Sequence, residues 1–202
     1  MQNYLILIVG LPGTGKTTLA RSLSSSLGYE LLSQNNIRRE MGMKKMPANG
    51  QDDVLRRIDK KITHYLLQGK GVVLESVHRY QFRRQQIYGI ASGCGTNAVT
   101  LECICSEEEA KRRMRQRPVS DGLVSDPGDP AVYDKMAATW HSVEEDFSLR
   151  GIDFVSHVVY NSELKNLERK RITLGMEKFI KLLEKTLLLV PLQNTAIDRH
   201  NA

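Results

Sequence analysis

Eight residues near the start of this 202-residue chain carry its clearest chemical instruction: Gly10-Leu11-Pro12-Gly13-Thr14-Gly15-Lys16-Thr17. They fit the pattern G-x-x-x-x-G-K-[ST] at every position. Glycines there let the backbone turn successive N–H groups inward around phosphate oxygens. A helix opening near Lys16 adds its positive N-terminal end. Lys16 is placed to reach the β- and γ-phosphates of a nucleoside triphosphate, and the Thr17 hydroxyl to ligate Mg²⁺, with Thr18 completing the set.

These groups need a frame to hold them. Residues 4–9 are a nearly continuous apolar run, the pattern of a parallel strand covered on both faces. Residues 17–27 predict a helix with Leu19, Ala20, Leu23 and Leu27 along one side, closed by Gly28. Residues 29–33 predict a second strand, and residues 41–50 a loop. A helix follows from Asp52 or Asp53 to about Gln68, where Val54, Leu55, Ile58, Ile62, Tyr65 and Leu66 recur at helical spacing. Val72-Val73-Leu74-Glu75 is a third strand, residues 80–92 a basic helix, and residues 98–105 a fourth strand. Ser106, with Glu109 three residues on, caps a helix reaching Gln116.

Residues 117–130 hold three prolines, two glycines and three aspartates, a loop of a length that is usually functional or disordered. Residues 131–149 predict one helix, residues 152–159 a fifth strand and residues 164–188 a closing helix, with 191–202 a flexible tail. Strands alternating with helices define the expected fold class: α/β, a three-layer sandwich around a central, mostly parallel five-stranded sheet, in one domain of residues 1–190.

Composition narrows the class of partner. The chain has 29 basic and 23 acidic residues, a net charge of +6, with 41% hydrophobic and 26% charged residues. That balance excludes a wholly disordered chain. The positive surplus suits a phosphate-rich ligand or nucleic acid and equally a plain cytosolic protein, because a sum says nothing of clustering. Cys94, Cys103 and Cys105 form neither a disulfide framework nor a Cys-x-x-Cys knuckle, so free thiols in a reducing interior are expected. No basic flank or cleavage site accompanies the first apolar run, and no stretch approaches about 20 apolar residues. The expectation is a soluble cytoplasmic protein with no membrane partner. His64, His141, His157 and His200 lack the spacing of a metal site, and Trp140 and Phe147 read as core. Arg79, Arg83 and Arg84 read first as an exposed basic helix face, the alternative being that Arg79 or His78 touches substrate.

No Asn-Lys-x-Asp run for reading a guanine base is present, and the third strand ends in Glu75-Ser76 rather than the Asp-Glu of motor ATPases. Six elements together resemble the small P-loop kinases. They are the phosphate loop, Ser33-Gln34-Asn35-Asn36-Ile37-Arg38, the strand end at Glu75, Arg113-x-x-x-Arg117, Ser120-Asp121-Gly122 and Tyr160-Asn161-Ser162. The likeness is to the polynucleotide-kinase, zeta-toxin and chloramphenicol-phosphotransferase group of AAA-like predicted kinases, and it spans most of residues 4–185. It implies a P-loop NTPase fold with a mobile lid at about 113–130, ATP and Mg²⁺ as cofactors, and γ-phosphoryl transfer to a hydroxyl of a small-molecule or nucleic-acid acceptor. A polynucleotide 5′-hydroxyl kinase and a nucleotide-binding regulator or pseudokinase are the alternatives.

In that group the second strand ends Asp-x-x-Arg, the aspartate taking the acceptor proton and the arginine holding a substrate phosphate or other polar group. Here Arg38 is in place, but Asn35 stands at the aspartate position, and an amide is no useful base. Three readings stay open. Asn35 orients a hydroxyl in a reaction that depends mainly on positioning. Glu75, which sheet topology turns toward the phosphate loop, serves as the base or as an outer-sphere Mg²⁺ ligand. Or the chain binds nucleotide without transferring. Arg113 and Arg117 share a helix face. The resemblance makes them lid arginines over the triphosphate, with Asp121 or Asp126 anchoring the closed lid. Without it, they join Lys111, Arg112 and Arg115 as a solvated basic face.

Overall fold

Leu5–Val9 (β1) is apolar and buried at every position. The sheet grows from it in both directions. The computed structural model describes residues 3–43, 50–116, 128–148 and 151–189. The predicted lid's Arg117, Ser120, Asp121, Gly122 and Asp126, most of the loop expected at 41–50, and the tail 191–202 lie outside the described residues. Glu30–Ser33 (β2), Val72–Glu75 (β3), Ala98–Ile104 (β4), Val155–Asn161 (β5) and Asn166–Arg171 (β6) complete a six-stranded sheet of order β2-β3-β1-β4-β5-β6. The first five run parallel and β6 pairs antiparallel with β5. The fold is the expected α/β three-layer sandwich, with one strand more than predicted.

Side chains alternate across β1, as a strand requires. Ile6 and Ile8 enter one core with Leu19 and Leu23 of Lys16–Leu27 (α1) and with Phe179, Ile180 and Leu183 of a C-terminal helix. Leu5, Leu7 and Val9 enter the other with Val54, Ile58 and Ile62, and with Ile87, Tyr88 and Ala91. Those residues belong to Gly50–Leu67 (α3) and Gln81–Gly93 (α4), which follow Gln34–Glu40 (α2) in the chain. Each buried aliphatic side chain contributes about 1.5–3 kcal/mol, so both faces of the sheet hold the central strand in place. Glu107–Arg115 (α5), Ala131–Ala137 (α6) and Glu177–Leu188 (α7) complete the helices. Among the described residues no helix is long and apolar enough to cross a membrane.

Four expectations need correction. The segment 164–188 is not one helix. Asn161 Oδ1 accepts from the backbone of Glu163 and Leu164 at 3.0 Å each, turning the chain back into β6 before α7 begins. The charged residues of β6 suit a sheet edge, where they discourage pairing with another chain. The segment 131–149 is likewise broken, into α6 and a short 3-10 helix, Glu144–Ser148. At the break Ser142 Oγ accepts from the Glu144 amide at 3.2 Å, and Asp146 is carried into the interior. The short helix α2 was not foreseen, although Ser33 caps it by accepting from Asn36 N–H at 3.1 Å.

The fourth correction concerns the basic helix. Arg83 and Arg84 of α4 do not form an exposed face, at 6% and 0% exposure. Arg83 pairs with Asp59 of α3. Arg84 donates to Asp146 from Nε at 2.6 Å and Nη2 at 2.8 Å. It also donates to the carbonyls of His78 and Ser142 at 2.9 Å each. Tyr88 supplies Asp146 with a further hydroxyl at 2.9 Å. A buried pair so fully hydrogen-bonded is a structural centre.

Candidate functional site

The loop between β1 and α1 has the shape its glycines predict. Gly10, Gly13 and Gly15 take φ of 148°, 82° and 97°. A Cβ on Gly10 would lie 2.3 Å from the Cys103 carbonyl oxygen, and one on Gly13 would lie 2.3 Å from that of Ala110. The loop is thus pressed against β4 and α5, with no room for side chains at these positions. Thr14 Oγ1 donates to the Leu11 carbonyl at 2.8 Å, and the Cys103 thiol donates to the Thr14 carbonyl at 2.8 Å. Burial pushes the Cys103 thiol up to about 12, so it stays a protonated donor. Pro12 is half-buried and spends no amide hydrogen, leaving the cradle to its neighbours.

Lys16 is buried and donates from Nζ to the Leu11 carbonyl at 2.7 Å, closing the loop on itself. Thr17 is exposed, and its hydroxyl donates to Glu75 Oε1 at 3.3 Å. The parallel register of β3 on β1, with Glu75 opposite Ile8, brings that carboxylate to the helix start. Thr18 lies half-buried in the first turn of α1.

Arg113 stands on the other side of the loop. Its Nη1 donates to Ser162 Oγ at 2.8 Å and its Nε to Glu109 Oε1 at 2.6 Å. A Cβ on Gly15 would lie 3.4 Å from Ser162 Cβ and 3.7 Å from Arg113 Nη1. The guanidinium is therefore held beside the cradle. Arg112 and Arg113 together hold the Glu109 carboxyl down at about 2, against desolvation. The sequence pattern alone assigns Glu109 to the helix cap. Its i, i+4 spacing to Arg113 was the available sign of the second role.

At the β2 end of the cleft, Arg38 donates to Asn35 Oδ1 at 3.1 Å, to Gln34 Oε1 at 3.3 Å and to Gln51 Oε1 at 3.0 Å. All three partners are neutral amides, and among the described residues no carboxylate pairs with it. Burial lowers its pKa from the ordinary arginine value. Ser33 and Glu75 are register partners on β2 and β3, so the helix bearing Asn35 and Arg38 starts beside Glu75. The structure thus brings together Lys16, Thr17 and Glu75, sets Asn35 against Arg38 on the adjoining helix, and holds Arg113 across the loop. Trp140 and Phe147 pack against the second core, as expected.

Strand order and loop place the chain in the P-loop class. The phosphate loop follows the central strand, and the neighbouring strand delivers its carboxylate beside the loop. Within that class the chain belongs to the AAA domain family AAA_33, whose model matches residues 5–140, and it is a small P-loop kinase-like protein. Cytidylate kinase of Saccharolobus islandicus is 32% identical over 80 residues, 36% of this chain and 42% of that enzyme. The chain therefore spans less than half the length of such relatives. Chaetomium thermophilum Kti12, solved with ADP-AlF3, superposes with a TM-score of 0.59 at 18% identity over 93% of this chain and 99% of that one. The Mycobacterium tuberculosis APS kinase CysC, solved with AMPPNP and APS, superposes with a TM-score of 0.55 at 16% identity over 91% and 98%. At these identities both matches speak for the fold.

Proposed function

We propose that this chain is an ATP- and Mg²⁺-dependent phosphotransferase that moves the γ-phosphoryl group to a hydroxyl of an acceptor bound between Arg38 and Glu75. The observation that carries the reading is the Thr17–Glu75 contact of 3.3 Å, which sets a hydroxyl and a carboxylate side by side at the mouth of the cradle. Hard oxygen donors of this kind suit Mg²⁺, which binds through few protein groups and keeps several waters. Thr17 would hold the ion with Glu75 behind it. Bound Mg²⁺ supplies charge neutralisation at the β- and γ-phosphates.

The chain's own residues do the rest. Lys16 exchanges the Leu11 carbonyl for phosphate oxygens, and the amides of Gly13, Gly15, Lys16 and Thr17 hold the remaining charge. Arg113, fixed by Glu109 and Ser162, faces the phosphates from α5, with Arg117 as the lid arginine in a segment of about 113–130. Asn35 orients Arg38 rather than taking a proton. Arg38, paired only with amides, keeps its charge for a polar or anionic group of the acceptor. Transfer then rests on positioning and electrostatics, which phosphoryl chemistry tolerates because its transition state is loose. The Asn35 amide also supports a second reading, a nucleotide-binding regulator.

The test is transfer of ³²P from the γ-position of ATP, with Mg²⁺, to a panel of cytidine, gluconate, chloramphenicol and a 5′-hydroxyl oligonucleotide. Label entering one class, and lost in Lys16→Ala, is the expected result. ATP binding without transfer to any of them, switched on by Asn35→Asp, would instead establish the regulator.

A further inference from the structure

Three residues beyond Glu75 the backbone passes through His78 with φ 46°, in the left-handed region that residues with a Cβ seldom enter. The segment is clamped on both sides. The Val77 carbonyl accepts from Gly10 N–H at 3.4 Å, and the His78 carbonyl accepts from Arg84 Nη1 at 2.9 Å. The residue is 5% exposed, both ring nitrogens are buried, and among the described residues neither Nδ1 nor Nε2 has a hydrogen-bond partner. Burial, together with the charges of Arg83, Arg84 and Lys16, holds its pKa down to about 3. Those three neighbours locate the ring between the phosphate loop and α4, and its state is the neutral imidazole.

Buried polar groups are nearly always paired, and backbone strain persists where the surroundings enforce it, most often at ligand sites. His78 combines both features at the carboxyl end of the sheet, where open α/β folds bind their ligands. Its nearest chain neighbour shares the trait: Arg79 Nε is also buried without a partner, as is Arg38 Nε on α2. By contrast Arg84, the deepest cation nearby, is fully paired. Arg83 Nε and Thr173 Oγ1 are likewise buried without a partner, but His78 alone combines two unpartnered ring nitrogens with a left-handed backbone.

We propose that His78 is a binding residue for the acceptor, its ring pairing with neighbouring hydroxyls or a carboxamide, groups that both donate and accept. A neutral imidazole offers one N–H and one lone pair. The adjoining cations exclude an ammonium group, and an anion, which only accepts, would leave the lone pair unserved. The inference rests on the phosphotransferase reading for the word acceptor, and the experiment separates the two.

Two variants bracket the ring: His78→Leu removes both nitrogens at similar volume, and His78→Asn keeps a donor and an acceptor on a residue that tolerates left-handed backbone. Cytidine, gluconate, chloramphenicol and a 5′-hydroxyl oligonucleotide are added in turn to the wild-type protein with Mg²⁺ and AMPPNP, and the ring ¹⁵N resonances are followed. We expect at least one compound to shift them. For that compound His78→Leu weakens binding tenfold or more and His78→Asn recovers most of it, while affinity for a fluorescent ADP analogue stays at the wild-type value. Resonances unmoved by all four compounds, or equal affinities in His78→Leu, overturn the proposal. A shifted ring with no ³²P transfer removes the phosphotransferase reading and leaves the His78 site standing.

Discussion

Asp146→Ala tests how far the interior depends on one ion pair. Asp146 and Arg84 both have 0% side-chain exposure, and the carboxylate receives two guanidinium bonds and the Tyr88 hydroxyl. Removing it leaves Arg84 with only the carbonyls of His78 and Ser142 for its charge. Breaking a buried pair from one side costs about 3–5 kcal/mol, because the remaining charge stays desolvated. For a chain of this size each kcal/mol moves the midpoint by about 2–4 °C, so a fall on the order of 10 °C is expected. Urea unfolding followed by Trp140 fluorescence and by far-ultraviolet dichroism gives the free energy directly. The double variant Arg84→Met/Asp146→Leu should recover most of the loss, since apolar replacement of both partners is often neutral. A loss below about 1 kcal/mol in Asp146→Ala, the value of an exposed pair, would show that water reaches the site and refute the reasoning.

Two further outcomes follow from the loop and from its neighbour. Gly13→Ala puts a Cβ against the Ala110 carbonyl at 2.3 Å and should abolish binding of a fluorescent ADP analogue. Gly28→Ala, left-handed at φ 66° but with open space around it, should cost only about 1 kcal/mol of strain and leave that binding intact. His78 sits at about 3 in the fold against 6.5 for the ordinary group. The unfolded chain therefore takes a proton that the folded one refuses. The resulting stability is complete above pH 6.5, declines as pH falls, and is gone near pH 3, with a slope approaching about 1.4 kcal/mol per unit between them. His78→Leu should remove that slope from the difference between denaturation curves, and parallel curves would count against it.

What was legible in the sequence was what is local. The phosphate loop is a run of eight residues whose types dictate their own conformation, and β1, β3, β4 and α3 carry their burial in their periodicity. The Thr17–Glu75 meeting followed from topology alone, because a β3 parallel to the central strand has to end beside the loop. What could not be read was long-range pairing of charge. Arg83 and Arg84 look like surface residues until Asp59 and Asp146, the latter 62 positions away, are brought to them. Two predicted helices were broken by side-chain turns at Ser142 and Asn161, whose effect depends on where the chain has to go next. The unpartnered ring of His78 is equally invisible in sequence, since a satisfied histidine and an orphaned one are spelled alike.

The pairing of Arg84 with Asp146 also sets how this chain can be divided in inheritance. A fragment ending after Trp140 would keep the phosphate loop, Glu75 and Arg113, everything a nucleotide touches in the reading above. It would nevertheless contain a buried arginine with its counter-charge left behind, and a β4 whose seven-residue border with β5 stands open. Recombination that trades the C-terminal third for another must import a strand, together with either a carboxylate at the same depth or an apolar replacement for Arg84. The phosphate loop and the C-terminal third are therefore coupled through one ion pair and one strand border.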